Sequence, residues 1–425
     1  MGARYFYGWN IVGATFVMAL FSFGLGFYGL SVYVAMLQRM HGWSASAVSV
    51  PVTVYYVAGA LLTASAGDLY ERCGPRGVVA GGSVAMAAGV AALGLVTQPW
   101  QLYPVFLVMS VGWGLMSGAA INIILAPWFQ RHRGLAVSIA FNGATLGGVI
   151  ITPALIPLIG VVGFTLALEI AALVLLVALV AVAVSVMRRS PKELGVGPDG
   201  DPNQPTRAEP SRSCDERWRS DAVHTWRFWS VSAPFALGLA AQVGVLTHLV
   251  ALVTPMLGTG GAARVVSAAT AAALIGRSVT GFVVDRLNRR LVSSATLVIQ
   301  IMGLALLAWA PSSMVVYAGC ALFGLGVGNL VTLPGLILAV EWPRERFSAL
   351  VSLVVGINQF TFAFGPSLVG VIRDWTGTYG LALGACMALQ ATAAVLIMLG
   401  PGRTQLTRSG RLGTSSDRCG RASGA

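Results

Sequence analysis

Charge is what this chain has least of. Only 10% of its 425 residues are Asp, Glu, Lys or Arg, against 56% hydrophobic, where soluble domains carry about 25%. So few charges cannot clothe a water-facing surface, and a soluble fold of this length would expose a very large apolar patch. Soluble classes are thereby excluded, which leaves a membrane protein. Cysteine is scarce too: Cys73, Cys214, Cys320, Cys386 and Cys419 include no C-x-x-C pair, so neither a disulfide framework nor a metal site is expected. There are four scattered histidines, no P-loop and no nucleophile–base constellation. No ATP drive, no cofactor, no catalytic residue and no enzyme activity are therefore expected.

What the chain has in abundance is long apolar runs. A span needs about 20 residues, and twelve are read, at roughly 9–33, 46–66, 77–97, 101–127, 134–158, 163–187, 229–255, 265–284, 292–310, 314–339, 347–371 and 379–400. The first is too long for the apolar core of a signal peptide, and Phe6 stands where a myristoylation signal needs Ser or Thr. The fold class expected is an all-α membrane protein of twelve transmembrane helices in two six-helix halves. The divisions are 1–187, a polar and mostly flexible linker at 188–227, 228–400, and a disordered tail at 401–425.

The net charge of +12 does not point to nucleic acid, because the basic residues sit in the gaps between spans. Of 27 Lys and Arg, 23 fall on the side shared by both termini and the linker, and three, Arg39, Arg264 and Arg373, on the other. The positive-inside rule makes both termini cytoplasmic, in a plasma or inner membrane.

The gap after the second span reads GDLYERCGPR (67–76), and the gap after the eighth reads GFVVDRLNRR (281–290). Both place Gly (Gly67, Gly281), an acid four residues on (Glu71, Asp285), then Arg (Arg72, Arg286), at an offset of 214 residues. The halves are therefore parallel repeats. Gly permits close helix approach, and the charges can cap or pair across helix ends, so the two loops read as gates that favour the state with the cytoplasmic ends closed together; a short loop that merely obeys the charge rule is the alternative, which the matching spacing in both halves disfavours. This G-x-x-x-D/E-R-x-G pattern resembles the signature loop of the major facilitator superfamily, with Glu71 for the usual Asp and Asn288 for the usual Gly. Segments 21–49, 126–155 (with its W-F-x-x-x-R-G-L-A start) and 356–383 resemble the monocarboxylate/oxalate–formate porter branch. In 143–153, Gly143, Gly147 and Gly148 are spaced for backbone contact between helices.

Ionisable groups inside a membrane are costly and so tend to be functional or paired. Arg277 lies eight residues before Asp285, about 12 Å into a core whose half-thickness is about 15 Å. Ala273, Leu274, Thr280 and Gly281 stand one turn away, so its partner is another helix or a ligand. A guanidinium fork suits a carboxylate. The resemblance implies the same, since such carriers hold the substrate carboxylate with an Arg on the eighth helix. His248 reads as a satisfied core residue or as a cavity donor linked to protons; the resemblance favours the cavity. Glu169 reads as an interfacial group. Among uncharged polar residues, Tyr28 and Asn122 are the first candidates for substrate contact, with Tyr55, Asn142, Asn329 and Asn358 as further cavity residues. Some relatives in the branch carry a second membrane cation; the one lysine here, Lys192, lies in the linker, which argues for a monoanion over a dianion.

The expectation is a monomeric secondary carrier for a small carboxylate, held by Arg277 and coupled to protons. Anion exchange, drug export on the same fold and a non-transporting membrane sensor are the rival readings.

Overall fold

The computed structural model describes residues 6–187, 191, 193–200, 222–284, 286–342 and 347–400. Asp285, Lys192, most of the linker and the 401–425 tail lie outside the described residues. Every regular element among the described residues is a helix. Ten helices are long and apolar enough to cross a membrane. Two of them are pairs joined at a glycine: Ala45–Leu93 turns at Gly74 (φ 68°, ψ 164°) and Trp226–Val283 at Gly258 (φ 68°, ψ 178°). Only glycine takes such a dihedral at little cost, and Pro75 then opens the next helix.

The twelve spans are α1 (Gly8–His41), α2 (45–73), α3 (75–93), α4 (Pro99–Leu125), α5 (Arg133–Val162), α6 (Phe164–Ser185), α7 (226–257), α8 (259–283), α9 (Arg289–Trp309), α10 (Ser313–Glu341), α11 (Leu350–Thr376) and α12 (Gly380–Met398). Two ends differ most from the sequence reading. α1 continues past residue 33 to His41, where Gly42 closes it in the left-handed region (φ 68°). α2 carries its charged end, with Asp68, Glu71 and Arg72, as helix beyond the apolar run.

Glycine sets the packing within each half. On α5, Gly143 and Gly147 lie against the carbonyls of Phe16 and Leu20 on α1; on α11, Gly365 lies against that of Ala240 on α7. Gly114 on α4 meets the Gly59 carbonyl of α2, and Gly324 on α10 meets that of Ala269 on α8. A side chain at any of these positions would collide with backbone. The α1/α5 and α2/α4 contacts of one half thus recur as α7/α11 and α8/α10 in the other, the two-half architecture that the repeat predicted.

Five spans are irregular near their middles, α11 among them, whose helix is interrupted at residues 363–364 between Phe362 and Gly365. α1 and α5 contain π-turns at Gly24–Tyr28 and Gly147–Ile151, which face each other; the Thr152 hydroxyl donates to the Gly24 carbonyl at 2.9 Å. α4 breaks at Ser117 (ψ −172°) and α10 at Gly328 (φ 89°). Such interruptions collect at functional sites and at cavities in membrane proteins.

The halves meet firmly at the arginine-poor end. Thr53 on α2 and Ser367 on α11 share a hydrogen bond of 2.6 Å, and Gly370 on α11 packs on Ser49 and the Ala45 carbonyl. At the arginine-rich end, Gly67, Gly281 and Gly356 face open space, and Glu71, Arg72 and Arg286 are exposed.

Residues 193–200 of the linker, expected to be flexible, are docked. The Asp199 carboxylate accepts the backbone N–H groups of Gln130, Arg131 and His132 in the α4–α5 loop at 2.9, 2.7 and 3.3 Å. The reason is local: a Pro-Asp-Gly turn presents the carboxylate to three donors that precede a helix lacking a side-chain cap.

Candidate functional site

The site is built around Arg277 on α8. Gly276, just before it, packs on the Leu325 carbonyl of α10, so the two backbones touch there. Three residues on, α10 breaks at Gly328, and the guanidinium occupies the space a side chain would need. A Cβ at Gly328 would lie 3.1 Å from Arg277 Cζ and 3.2 Å from its Nε. The next residue ties the helices together: Asn329 Nδ2 donates to Thr280 Oγ1 at 2.9 Å and to the Leu325 carbonyl at 3.1 Å. Asn329 Oδ1 and Arg277 Nε are both buried without a partner. No hydrogen bond or ion pair reaches Arg277 among the described residues. A buried guanidinium donor left unpaired is a large desolvation cost that an anion would offset.

From the opposite half, the α1 π-turn delivers Tyr28. It is nearly buried, at 8% exposure, and lies within electrostatic reach of Arg277. Its ring packs beside Gly148 of α5 and the Thr270 methyl of α8. Tyr28 and Arg277, two sequence candidates, are thus brought together from the two halves. Phe27 stands 5.1 Å from Tyr28, stacks on Trp113 at 5.9 Å (17° between planes), and lies 6.2 Å from Tyr56.

The other candidates are placed elsewhere. His248 is buried on α7; its Nε2 is 3.1 Å from the Pro366 carbonyl and its Nδ1 3.3 Å from the Tyr379 hydroxyl. It lies ten residues from the Gly258 turn and Arg277 nineteen, an axial separation of about 13 Å at 1.5 Å per residue. His248 therefore belongs with the seal, not with Arg277. Tyr55 is fully buried and donates to the Gly26 carbonyl at 2.7 Å, which fixes α1 to α2 inside one half. Asn122 is half-buried and bonds to the Gly118 carbonyl of its own helix at 3.1 Å. Asn142 is half-buried on α5. Asn358 is buried on α11 with Oδ1 unpaired. Glu169 is exposed on α6.

Sequence reasoning missed three features. Gly328 reads as one small residue among many; its position in mid-span was the available signal. Asp374 ends α11 and accepts hydrogen bonds from the start of α2. Arg290 counted only as a loop charge, yet it makes a buried bidentate pair with Glu341 at 2.7 and 2.8 Å, and also donates to the carbonyls of Ile397 and Ser230.

A family model described as Major Facilitator Superfamily matches residues 16–334. The chain is 27% identical over 383 residues to "MFS-type transporter 1" of Ophiocordyceps sp. (strain BCC 1869), covering 86% of this chain and 77% of that one. It is 32% identical over 114 residues to "Putative anionic 4-hydroxy-benzoate permease" of Thauera aromatica, covering 27% of this chain and 68% of that one. The crystal structure of the nucleoside transporter NupG shares the fold, with a TM-score of 0.71 at 13% identity, covering 95% of this chain and 99% of that chain.

Proposed function

The chain belongs to the Major Facilitator Superfamily, and from that premise we propose that it carries a small organic monocarboxylate across the membrane by alternating access. It is a multi-pass membrane transporter and not an enzyme. The observation that carries the carboxylate reading is Arg277: an always-charged fork inside a span, six residues from its end at Val283, its Nε buried and unpaired, facing Tyr28 of the other half. One midplane site between two rocking halves is how such carriers work. The Thauera aromatica relative, named as an anionic 4-hydroxy-benzoate permease, favours an anion, and the monocarboxylate/oxalate–formate branch remains the proposed place within the family.

The gate reading follows from the two ends. The Thr53–Ser367 and Asp374 contacts seal one end, and the repeated loops around Glu71 and Arg286 stand exposed at the other. With both termini cytoplasmic, as the arginine distribution supports, this is a carrier open to the cytoplasm. The loops Gly67–Arg72 and 281–286 close that end in the opposite state. The units are the two halves, 1–187 and 228–400, joined by the linker in one monomeric chain. Proton symport is the proposed coupling, through the carboxyl of the substrate or through His248 in the seal.

The test is counterflow in proteoliposomes against labelled carboxylates. Arg277→Ala is expected to abolish uptake; undiminished uptake would sink the carboxylate reading. Uptake indifferent to an imposed pH gradient would remove proton symport and leave anion exchange.

A further inference from the structure

The aromatic residues beside Arg277 carry a further inference, which rests on the carboxylate reading. We propose that the substrate is an aromatic monocarboxylate, its carboxylate on Arg277 and its ring against Phe27, backed by Trp113, Tyr56 and, from the other half, Phe362.

Phe27 and Tyr28 are consecutive, so one π-turn sets an aromatic face and the Arg277 contact side by side. Phe27 is half-buried, whereas the rings behind it are closed off: Trp113 is 3% exposed, Tyr56 2% and Tyr55 fully buried. Phe27 is therefore the accessible rim of a rigid stack and not one of its hidden members. Along α1, Gly13, Leu20, Phe23 and Phe27 all keep some exposure. Their spacing places them on one helix face, exposed at Gly13 and half-buried from Leu20 to Phe27, while α4, α5 and α6 pack around the rest. Phe23 continues the wall, 5.0 Å from Trp113 at 69°.

The wall crosses to the other half. Phe362 on α11 stands edge-on to Tyr56, with centroids 5.2 Å apart and planes at 85°. Edge-to-face and offset stacking favour an aromatic guest beyond the area it buries. With no second unpaired cation at the site among the described residues, the chemistry is that of one negative charge joined to one flat ring. A short aliphatic acid would satisfy Arg277 and leave the wall without a partner.

The experiment compares labelled benzoate, cyclohexanecarboxylate and acetate in counterflow with the full chain in proteoliposomes. Cyclohexanecarboxylate matches benzoate in size and charge and lacks the ring electrons. Benzoate is expected to half-saturate at a concentration about tenfold below cyclohexanecarboxylate, with acetate weaker still. Phe27→Leu is expected to erase the benzoate advantage and leave cyclohexanecarboxylate uptake unchanged; Phe27→Tyr, which keeps a ring, retains the advantage and guards against a folding defect in the leucine variant. Uptake that depends on Arg277 but treats the three acids alike overturns the ring inference alone, as does a Phe27→Leu protein that keeps the full benzoate advantage or loses all three uptakes equally. Uptake of none of the three, or uptake that survives Arg277→Ala, overturns the carboxylate reading and this inference with it.

Discussion

The Asp374 carboxylate at the end of α11 accepts the backbone N–H of Ala45 at 2.9 Å and that of Ser46 at 2.7 Å, and so caps the first turn of α2 from the opposite half. Ser44 caps the same turn from within, its hydroxyl accepting the Ala47 N–H at 3.2 Å. Helix start, dipole and inter-half seal thus share one carboxylate. Arg373 sits between this cap and the His248–Tyr379 pair: its Nη1 is 3.3 Å from Asp374, and its guanidinium lies 6.0 Å from the Tyr379 ring.

Removing the charge of that cap should loosen the seal. Hydrogen bonds to a charged group contribute about 1.5–3 kcal/mol each, so Asp374→Asn is expected to raise the population open at this end roughly tenfold or more. The measurement is labelling of Thr53→Cys by a membrane-impermeant maleimide, with and without Asp374→Asn. Equal labelling rates would show that the cap does not hold the gate.

Gly328 should be coupled to Arg277 energetically. An alanine there pays about 1–2 kcal/mol for its left-handed backbone and also pushes on the guanidinium. Only the second cost vanishes when Arg277 is truncated. Gly328→Ala is therefore expected to destabilise the wild type more than it destabilises Arg277→Ala, and to raise the half-saturating carboxylate concentration. Thermal unfolding in detergent across the four proteins of the double-mutant cycle measures this; additive losses would separate the two residues.

The Arg290–Glu341 pair should be a stability element of the second half. Both side chains are close to buried, at 7% and 11% exposure, and Arg290 links α9 to α7 and α12 besides α10. Leaving one buried partner of an ion pair unpaired costs about 3–5 kcal/mol. Arg290→Met and Glu341→Leu are each expected to lower the unfolding temperature markedly, whereas the double change recovers much of the loss. A double variant as unstable as the sum of the singles would contradict this.

Much of this architecture was legible because membranes make local sequence speak. Twelve apolar runs give twelve spans, Gly74 and Gly258 divide the joined helices, and Gly143 and Gly147 do lie against the next helix. Arg277 was legible for the same reason, a lone charge in an apolar run. What was not legible depends on partners far away in sequence. The hydroxyl of Tyr379 lies 131 residues from His248, and the N–H groups that Asp374 accepts lie 329 and 328 residues from it. The breaks at Ser117 and Gly328 carry no proline, so apolar periodicity runs straight through them. Asp199 was hidden in a polar stretch whose composition matches that of a flexible linker.

Asp199 supplies the pH prediction. Burial raises its pKa, but the N–H groups of Arg131, Gln130 and His132, with the His132 ring at 3.2 Å, outweigh that and hold it below the ordinary carboxylate value of about 4. A carboxyl depressed in the folded state adds stability that is present above its unfolded pKa and lost as pH falls through the folded one. The docking of residues 193–200 on the α4–α5 loop should therefore be intact at neutral pH and released below about pH 4. Asp199→Asn should release it at every pH, since a neutral amide oxygen accepts these bonds more weakly. Hydrogen exchange of the amides at 130–132 is the readout: protected at pH 7 in the wild type, fast in the variant after correction for the intrinsic rate. Protection unchanged in Asp199→Asn would mean that packing of Phe6 against Gly200, Trp128 and Phe129, and not the carboxylate, holds the linker in place.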